Sequence, residues 1–400
     1  MTHSTSGRPV PDRALAGGGS LPLPALIALA LAGFITILTE ALPAGLLPEI
    51  AGSLSVSQSY AGQMVTIYAL GSLLAAIPLT SATQRLRRRP LLLFAIAGFA
   101  LANSVTAISP FYGLTMVARF LAGTSAGLLW ALLAGYAARL VPDHQKGKAI
   151  AIAMIGTPVA LSIGVPAATF LGKAIGWGTC FGVLSAIAAL LIVWISMKLP
   201  DFPGQDGARR SSLAAVLAMA GVRPILFVTL AFVLAHNLLY TYIAPFLRLA
   251  ALADQVDIIL LTFGLFSLVG IWIVGAFIDR KPRALALLSS ALFVLAAAML
   301  GLWPASAPFV YAAVAIWGLA FGGAATLFQT ALAHAAGDAT DIAQSMLVTA
   351  WNLAIAGGGL LGGLLLDQAG AGSFPPALLA LLIPCLLVTW SARRHGFPSS

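Results

Sequence analysis

Long apolar runs, each ended by a short polar or proline-marked stretch, dominate the chain. A helix needs about 20 mainly apolar residues to cross a bilayer, and twelve runs approach or exceed that length. They cover roughly 23–46, 60–81, 90–108, 111–135, 148–171, 177–197, 224–246, 257–278, 284–302, 307–331, 342–366 and 374–392, numbered here as spans 1 to 12. The pattern predicts an all-α integral membrane fold of twelve transmembrane helices.

Composition agrees, with 60% hydrophobic and 8% charged residues in 400, against roughly 25% charged in soluble domains. The 40 Gly and 23 Pro fall largely inside the apolar runs, which membrane helices tolerate because neighbouring helices and waters satisfy the freed backbone groups. Cys180 and Cys385 lie in apolar segments, too few for a disulfide framework or a metal site, and read as small buried hydrophobes. Residues 1–20 carry only Arg8 and Arg13 as basic groups, and no small-residue cleavage site follows, so the first apolar run reads as a retained helix.

The net charge of +9 changes meaning once its placement is considered. With the N-terminus inside, the outer loops hold only Lys173 and Arg248, and Arg119 lies within span 4. The other 18 of the 21 Lys and Arg fall in the two tails and the loops of the opposite side. By the positive-inside bias both termini are expected in the cytoplasm. The surplus is thus a topology signal, and no nucleic-acid partner is expected.

Residues 198–223 are the longest polar break between spans and divide the chain in half. The expected organisation is a tail (1–22), a six-helix bundle (23–197), a cytoplasmic linker (198–223) with a short interfacial helix at 212–220, a second bundle (224–392) and a tail (393–400). Self-similarity at about 200 residues supports a duplicated unit. Thr39-Glu40-Ala41-Leu42-Pro43 matches Thr241-Tyr242-Ile243-Ala244-Pro245. "QRLRRRP" (84–90) matches "DRKPRA" (279–284), and "FLAGTSAG" in span 4 matches "GLAFGGAA" in span 10.

From about residue 25 to 392 the chain resembles a major facilitator superfamily transporter, closest to the bacterial twelve-span proton-antiporter branch that exports drugs, sugars and nucleosides. The residues that carry the likeness are "LTEALPAGLLPEIAGSLSVSQSYAGQMVTIYALG" (38–71), "QRLRRRP", "ARFLAGTSAG" (118–127), "GTPVALSIGVP" (156–166), "YTYIAPFL" (240–247) and "WNLAIAGGGLLGG" (351–363). The resemblance implies two pseudo-symmetric bundles that rock about a central site, with a gating loop after span 2 and another after span 8. In the first copy, which holds Arg85, Arg88 and Arg89, Gln84 replaces the family's Asp and Arg87 its Gly. The second keeps Gly275, Asp279, Arg280 and Arg283. The span 4 arginine motif matches at Arg119, Gly123 and Gly127, and the span 5 exporter motif in part, at Gly156, Gly164 and Pro166.

Glu40 is the acidic residue set well inside a span, on a stripe with Gly33, Thr36 and Ala44 that suits a cavity wall. Where desolvation and a nearby cation balance, such a carboxyl can load and release a proton near neutral pH. A carboxylate merely fixed near a helix end is the alternative. Arg119 cannot deprotonate, so its burial demands a partner: Glu40, directly or through water, or else backbone carbonyls of span 1. The expected proton-coupling pair is Glu40 and Arg119.

Candidate substrate contacts are Thr36, Tyr68, His236, Asn237, Tyr240, Gln329 and Asn352. For His236, Gln329 and Asn352 a hydrogen-bonded packing role remains the alternative. Span 5 carries Gly156, Pro158, Gly164 and Pro166, which predict a kinked, closely packed helix, whether for rocking or for ordinary packing. Trp130, Trp272, Trp317 and Trp351 are further stacking candidates. The pairs Asp254 with Asp257 and Asp338 with Asp341 read as solvated groups or helix N-caps.

No nucleotide loop, metal motif or serine elbow occurs, so an ATP-driven pump or a membrane hydrolase is not expected. The expected protein is no enzyme and needs no cofactor or metal. It is a multi-pass, monomeric secondary transporter of the bacterial inner membrane, whose partners are lipid, protons and a small molecule. Export of a neutral or cationic drug, sugar or nucleoside is the favoured direction. A proton-coupled uptake symporter of the same fold is the alternative, followed by a non-transporting sensor.

Overall fold

The computed structural model describes residues 21–204 and 213–397. Twelve spans follow one another: Leu23–Gly45, Gln58–Thr83, Arg88–Ile108, Tyr112–Arg139, Lys146–Ile175, Trp177–Lys198, Val222–Thr241, Val256–Phe277, Pro282–Leu302, Ala307–Ala336, Thr340–Ala369 and Phe374–Ser391. No strand occurs among the described residues. All but span 2 are, as described, long and apolar enough to cross a bilayer. Span 2 has 26 residues, about 39 Å at the helical rise of 1.5 Å per residue, and it packs centrally against spans 4 and 11. Span 1 continues past a break at Leu46 as Leu47–Leu54, and span 7 past Tyr242 as Ile243–Leu247.

The two halves are built alike. In the first, span 2 packs on 4, 3 on 4, and 3 on 6; in the second, 8 packs on 10, 9 on 10, and 9 on 12. Glycines set these crossings, because a Cβ there would strike a neighbouring main chain. Gly71 faces the Phe120 carbonyl and Gly123 that of Tyr68; 199 positions on, Gly270 faces Leu319 and Gly322 faces Ser267. Lipid gives helices no hydrophobic reason to associate, so such close approach supplies the packing.

Between the halves, span 2 meets span 11 and span 5 meets span 8. The side-chain bonds that cross this boundary gather at the end away from the arginine-rich loops. Ser59 Oγ donates to Asp367 at 2.5 Å, and Gln63 Nε2 to the Tyr242 hydroxyl at 3.1 Å and the Gly359 carbonyl at 3.2 Å. The Tyr242 hydroxyl lies 2.8 Å from the same Gly359 carbonyl, and Lys173 Nζ lies 2.8 Å from Asp257. A vestibule of about 690 Å³, lined by Pro48, Ser59, Arg248 and Asp367 among others, lies on this side.

Asp257 corrects the sequence reading of a solvated or capping residue. It faces Lys173 of the other half, and together they bridge spans 5 and 8. The side chains of Asp338 and Asp341 lie outside the described residues. The interfacial helix expected at 212–220 is Leu213–Ala218.

Candidate functional site

Pro43 sits inside span 1 and has no N–H, so the carbonyl four residues earlier, at Thr39, loses its helical partner. Arg119 of span 4 supplies one. Its Nη1 donates to Thr39 O at 2.6 Å, Nη2 to Glu40 O at 3.4 Å, and Nε to Met64 O of span 2 at 3.2 Å. The guanidinium is fully buried, 4.8 Å from the Tyr68 ring centroid and 5.6 Å from that of Phe181. A charged donor to a carbonyl contributes about 1.5–3 kcal/mol, so this one side chain ties spans 1, 2 and 4 together.

The direct Glu40–Arg119 ion pair expected from sequence is not formed. Arg119 takes the main-chain carbonyl of Glu40 and not its carboxylate, and its shortest bond goes to the Thr39 carbonyl that Pro43 leaves without a helical donor. The Glu40 side chain is half-buried and, among the described residues, makes no ion pair. It remains within electrostatic reach of Arg119 and of Tyr240 in span 7. The carboxylate therefore lies where the two halves meet.

Around it the hydrogen bonds are local. Tyr68 OH donates to Thr36 O at 3.0 Å, Thr36 Oγ1 to Ala32 O at 2.8 Å, and Asn103 Nδ2 to Thr39 Oγ1 at 3.0 Å. Thr36 and Tyr68 are thus fully buried helix contacts in this conformation.

His236 and Tyr240 occupy an aromatic cage built by spans 7, 8 and 10. The His236 ring stacks on Phe321 with centroids 3.5 Å apart, while Tyr240, Trp317 and Phe263 stand 5.2, 5.3 and 5.5 Å away. One helical turn separates His236 from Tyr240, which puts both on one face of span 7. Three polar atoms in this cage, His236 Nδ1, Tyr240 OH and Trp317 Nε1, are buried without a hydrogen-bond partner. Such atoms are costly unless something pairs with them. In this conformation the three polar atoms stand at the edges of ring faces that are packed on one another.

The other candidates lie outside this cage. Asn237 Nδ2 bonds Val233 O at 2.9 Å and Asn352 Nδ2 bonds Val348 O at 3.0 Å, each within its own helix. Gln329 is exposed, and its carbonyl accepts from Gln344 at 2.8 Å. Trp351 reaches the cage edge at 6.2 Å from Phe321, whereas Trp272 is exposed. Span 5 holds a π turn over Ala160–Gly164. It lies between Pro158 and Pro166, and the latter leaves Ser162 O without its helical donor. Gly156 abuts the Ala30 main chain, and Gly164 the Phe34 ring.

At the basic end, Arg89 Nη1 donates to Leu199 O at 3.1 Å, while Arg283 donates to Trp390 O at 2.7 Å and Phe397 O at 2.8 Å. Each arginine thus satisfies carbonyls where span 6 or span 12 ends, the favourable place for a cation. Arg88 Nη2 bonds Gln84 O at 3.0 Å, and Arg85, Asp279 and Arg280 are exposed. Sequence reading missed the acid that meets this loop: Asp201 Oδ2 lies 2.6 Å from Arg87 Nε. An Asp placed just after span 6, on the side that holds the arginine run, was the available signal.

The sequence model described as Major Facilitator Superfamily matches residues 29–357. A probable sugar efflux transporter of Mannheimia succiniciproducens is 29% identical over 86% of this chain and 87% of its own length. The purine ribonucleoside efflux pump NepI of Escherichia coli is 31% identical over 88% of this chain and 90% of its own. Among solved structures, a bacterial homolog of the human lysosomal transporter Spinster, inward-facing and occupied, superposes with a TM-score of 0.74 at 13% identity, covering 94% of this chain and 98% of that one. The same homolog, inward-facing and unoccupied, gives 0.65 at 14% identity, covering 95% and 97%.

Proposed function

Because this chain belongs to the Major Facilitator Superfamily, we propose that it exports a nucleoside or sugar across the bacterial inner membrane in exchange for protons. Both termini are cytoplasmic in this reading, following the basic loops. The latched end is then periplasmic.

The observation that carries the reading is the free carboxylate of Glu40 at the meeting of the halves, beside an Arg119 whose hydrogen bonds are spent on carbonyls. A carboxylate that no cation neutralises directly can take a proton and lose it again as its surroundings change between the two open states. Protonation removes the charge felt at Arg119 and Tyr240 and so biases which end opens. The His236, Tyr240 and Trp317 cage supplies ring faces with edge polar groups for a base or sugar. The relatives named for sugar and purine ribonucleoside efflux support that class of cargo.

Everted membrane vesicles from an exporter-deficient host test the reading. Energised vesicles bearing the chain should accumulate a labelled purine ribonucleoside or sugar above the empty-vesicle level, and a protonophore should abolish the gain. Accumulation in right-side-out vesicles instead would establish uptake.

A further inference from the structure

At its basic end the first half holds a cavity of about 940 Å³, bounded by the end of span 4, the starts of spans 3 and 5 and the stretch just after span 6. Leu132, Val141 and Phe202 give it an apolar wall, and Arg88, Arg139 and Lys146 a cationic one. No acidic residue lines it among the described residues.

Main-chain carbonyls hold the two arginines in place. Arg88 Nη2 donates to Gln84 O at 3.0 Å, and Arg139 Nη1 to Pro203 O at 2.9 Å. Those acceptors belong to segments in contact, because a Cβ on Gly204, the residue after Pro203, would strike the Gln84 carbonyl. The stretch after span 6 is itself fixed: Tyr136 OH donates to Pro200 O at 2.6 Å and Arg88 N to Phe202 O at 2.9 Å, and Phe202 stands edge-on to Tyr136 with centroids 5.3 Å apart. The guanidiniums therefore converge from spans 3 and 4, near enough for the Arg139 charge to be felt at Arg88. Both side chains are half-buried, so their repulsion is screened less than at an open surface.

Each arginine spends one nitrogen on its carbonyl. Nε and Nη1 of Arg88, and Nε and Nη2 of Arg139, donate to no group among the described residues. Asp201, close by in sequence to Phe202, is already engaged: one oxygen accepts from the Arg89 main-chain N–H at 3.0 Å and the other lies 2.6 Å from Arg87 Nε. Converging like charges with spare donors favour an anion between them. A guanidinium fork pairs with two phosphate oxygens at once, and a tetrahedral phosphate has enough oxygens to meet two forks.

We propose that this cavity binds a phosphate group between Arg88 and Arg139, carried either by an anionic lipid or by a soluble phosphate compound. Basic pockets between helices on the cytoplasmic side, where the basic loops place this end, collect such headgroups. The site is separate from the cage, and it stands whichever cargo the chain carries and whichever ion drives it.

Two binding measurements on the purified full chain test it. In phosphatidylcholine nanodiscs the chain is titrated with inorganic phosphate and pyrophosphate by calorimetry; after reconstitution with phosphatidylglycerol, the lipid retained per chain is counted by native mass spectrometry. Binding in the first assigns a soluble ligand, and retention in the second a lipid headgroup. In whichever responds, Arg88→Gln and Arg139→Gln should each weaken binding at least about 10-fold, the loss of a charged hydrogen bond. Lys281→Gln, the same charge change at an exposed site in the other half, should leave it unchanged. Gly135→Leu is the test that leaves charge alone. Gly135 lines the cavity, and a Cβ there meets nothing within 4 Å, so the variant should fold and fill the space, and binding should fall at least as far. No binding in either measurement overturns the site. So does binding that Gly135→Leu leaves at the parental level, or that Lys281→Gln weakens as much as the arginine variants do.

Discussion

Arg119 Nη1 donates to the Thr39 carbonyl at 2.6 Å, the carbonyl that Pro43 strips of its helical partner. A defect in span 1 and a buried cation in span 4 thus answer each other. Its counterpart 199 positions on is Gly318, packed against the Phe263 main chain, so the second half solves the same crossing without charge.

This coupling predicts non-additivity. Arg119→Met should lower stability in detergent by about 2 kcal/mol, the cost of an unsatisfied buried carbonyl less the relief of the buried charge. Pro43→Ala restores a donor at residue 43, so in that background the same change should cost at least about 1 kcal/mol less. Denaturant unfolding of the four proteins measures this, and strictly additive effects would refute the assignment.

The cage predicts a split between affinity and folding. His236→Phe and Tyr240→Phe keep ring volume and remove one polar atom each, so melting temperatures should hold or rise. Affinity for a transported nucleoside or sugar should fall by about 5- to 10-fold, the equivalent of roughly one hydrogen bond. Equilibrium binding to purified protein checks it, and unchanged affinity in both variants would remove the cage from the cargo site.

The latch at the other end predicts an order of effects. The Lys173–Asp257 pair is partly exposed, with side chains 25% and 17% accessible, so Lys173→Met should shift the opening equilibrium by no more than about 5-fold. Tyr242 is fully buried against Ser59, Gln63 and Gly359, and Tyr242→Phe should shift it further. Alkylation rates at a Thr66→Cys reporter, on the span 2 face that meets Gly359, should rank Tyr242→Phe above Lys173→Met above parent.

Much of this architecture is legible in the sequence, because apolar length alone marks a span, and the match of Thr39–Pro43 with Thr241–Pro245 and of "FLAGTSAG" with "GLAFGGAA" marks the repeat. Glu40 and Arg119 stand out for the same reason: charges are rare in lipid. What the sequence leaves open is partner choice. Nothing in residue type says that Arg119 prefers carbonyls to the Glu40 carboxylate, since that depends on which acceptor Pro43 frees and where spans 1 and 4 cross. Asp257 reads as a solvated or capping acid and Asp201 and Asp367 carry no motif, and only the folded chain brings the three to Lys173, Arg87 and Ser59. Tyr242, which stands in span 7 where span 1 has Glu40, holds the halves together from that matching position.

If the Glu40 carboxylate couples proton movement to transport, Glu40→Gln in proteoliposomes should separate the two. Gln keeps the shape and cannot ionise. An imposed pH gradient should drive labelled cargo uphill through the parent but not through the variant, while cargo exchange without a gradient persists in both. Uphill, gradient-driven transport by Glu40→Gln at the parental rate would contradict it.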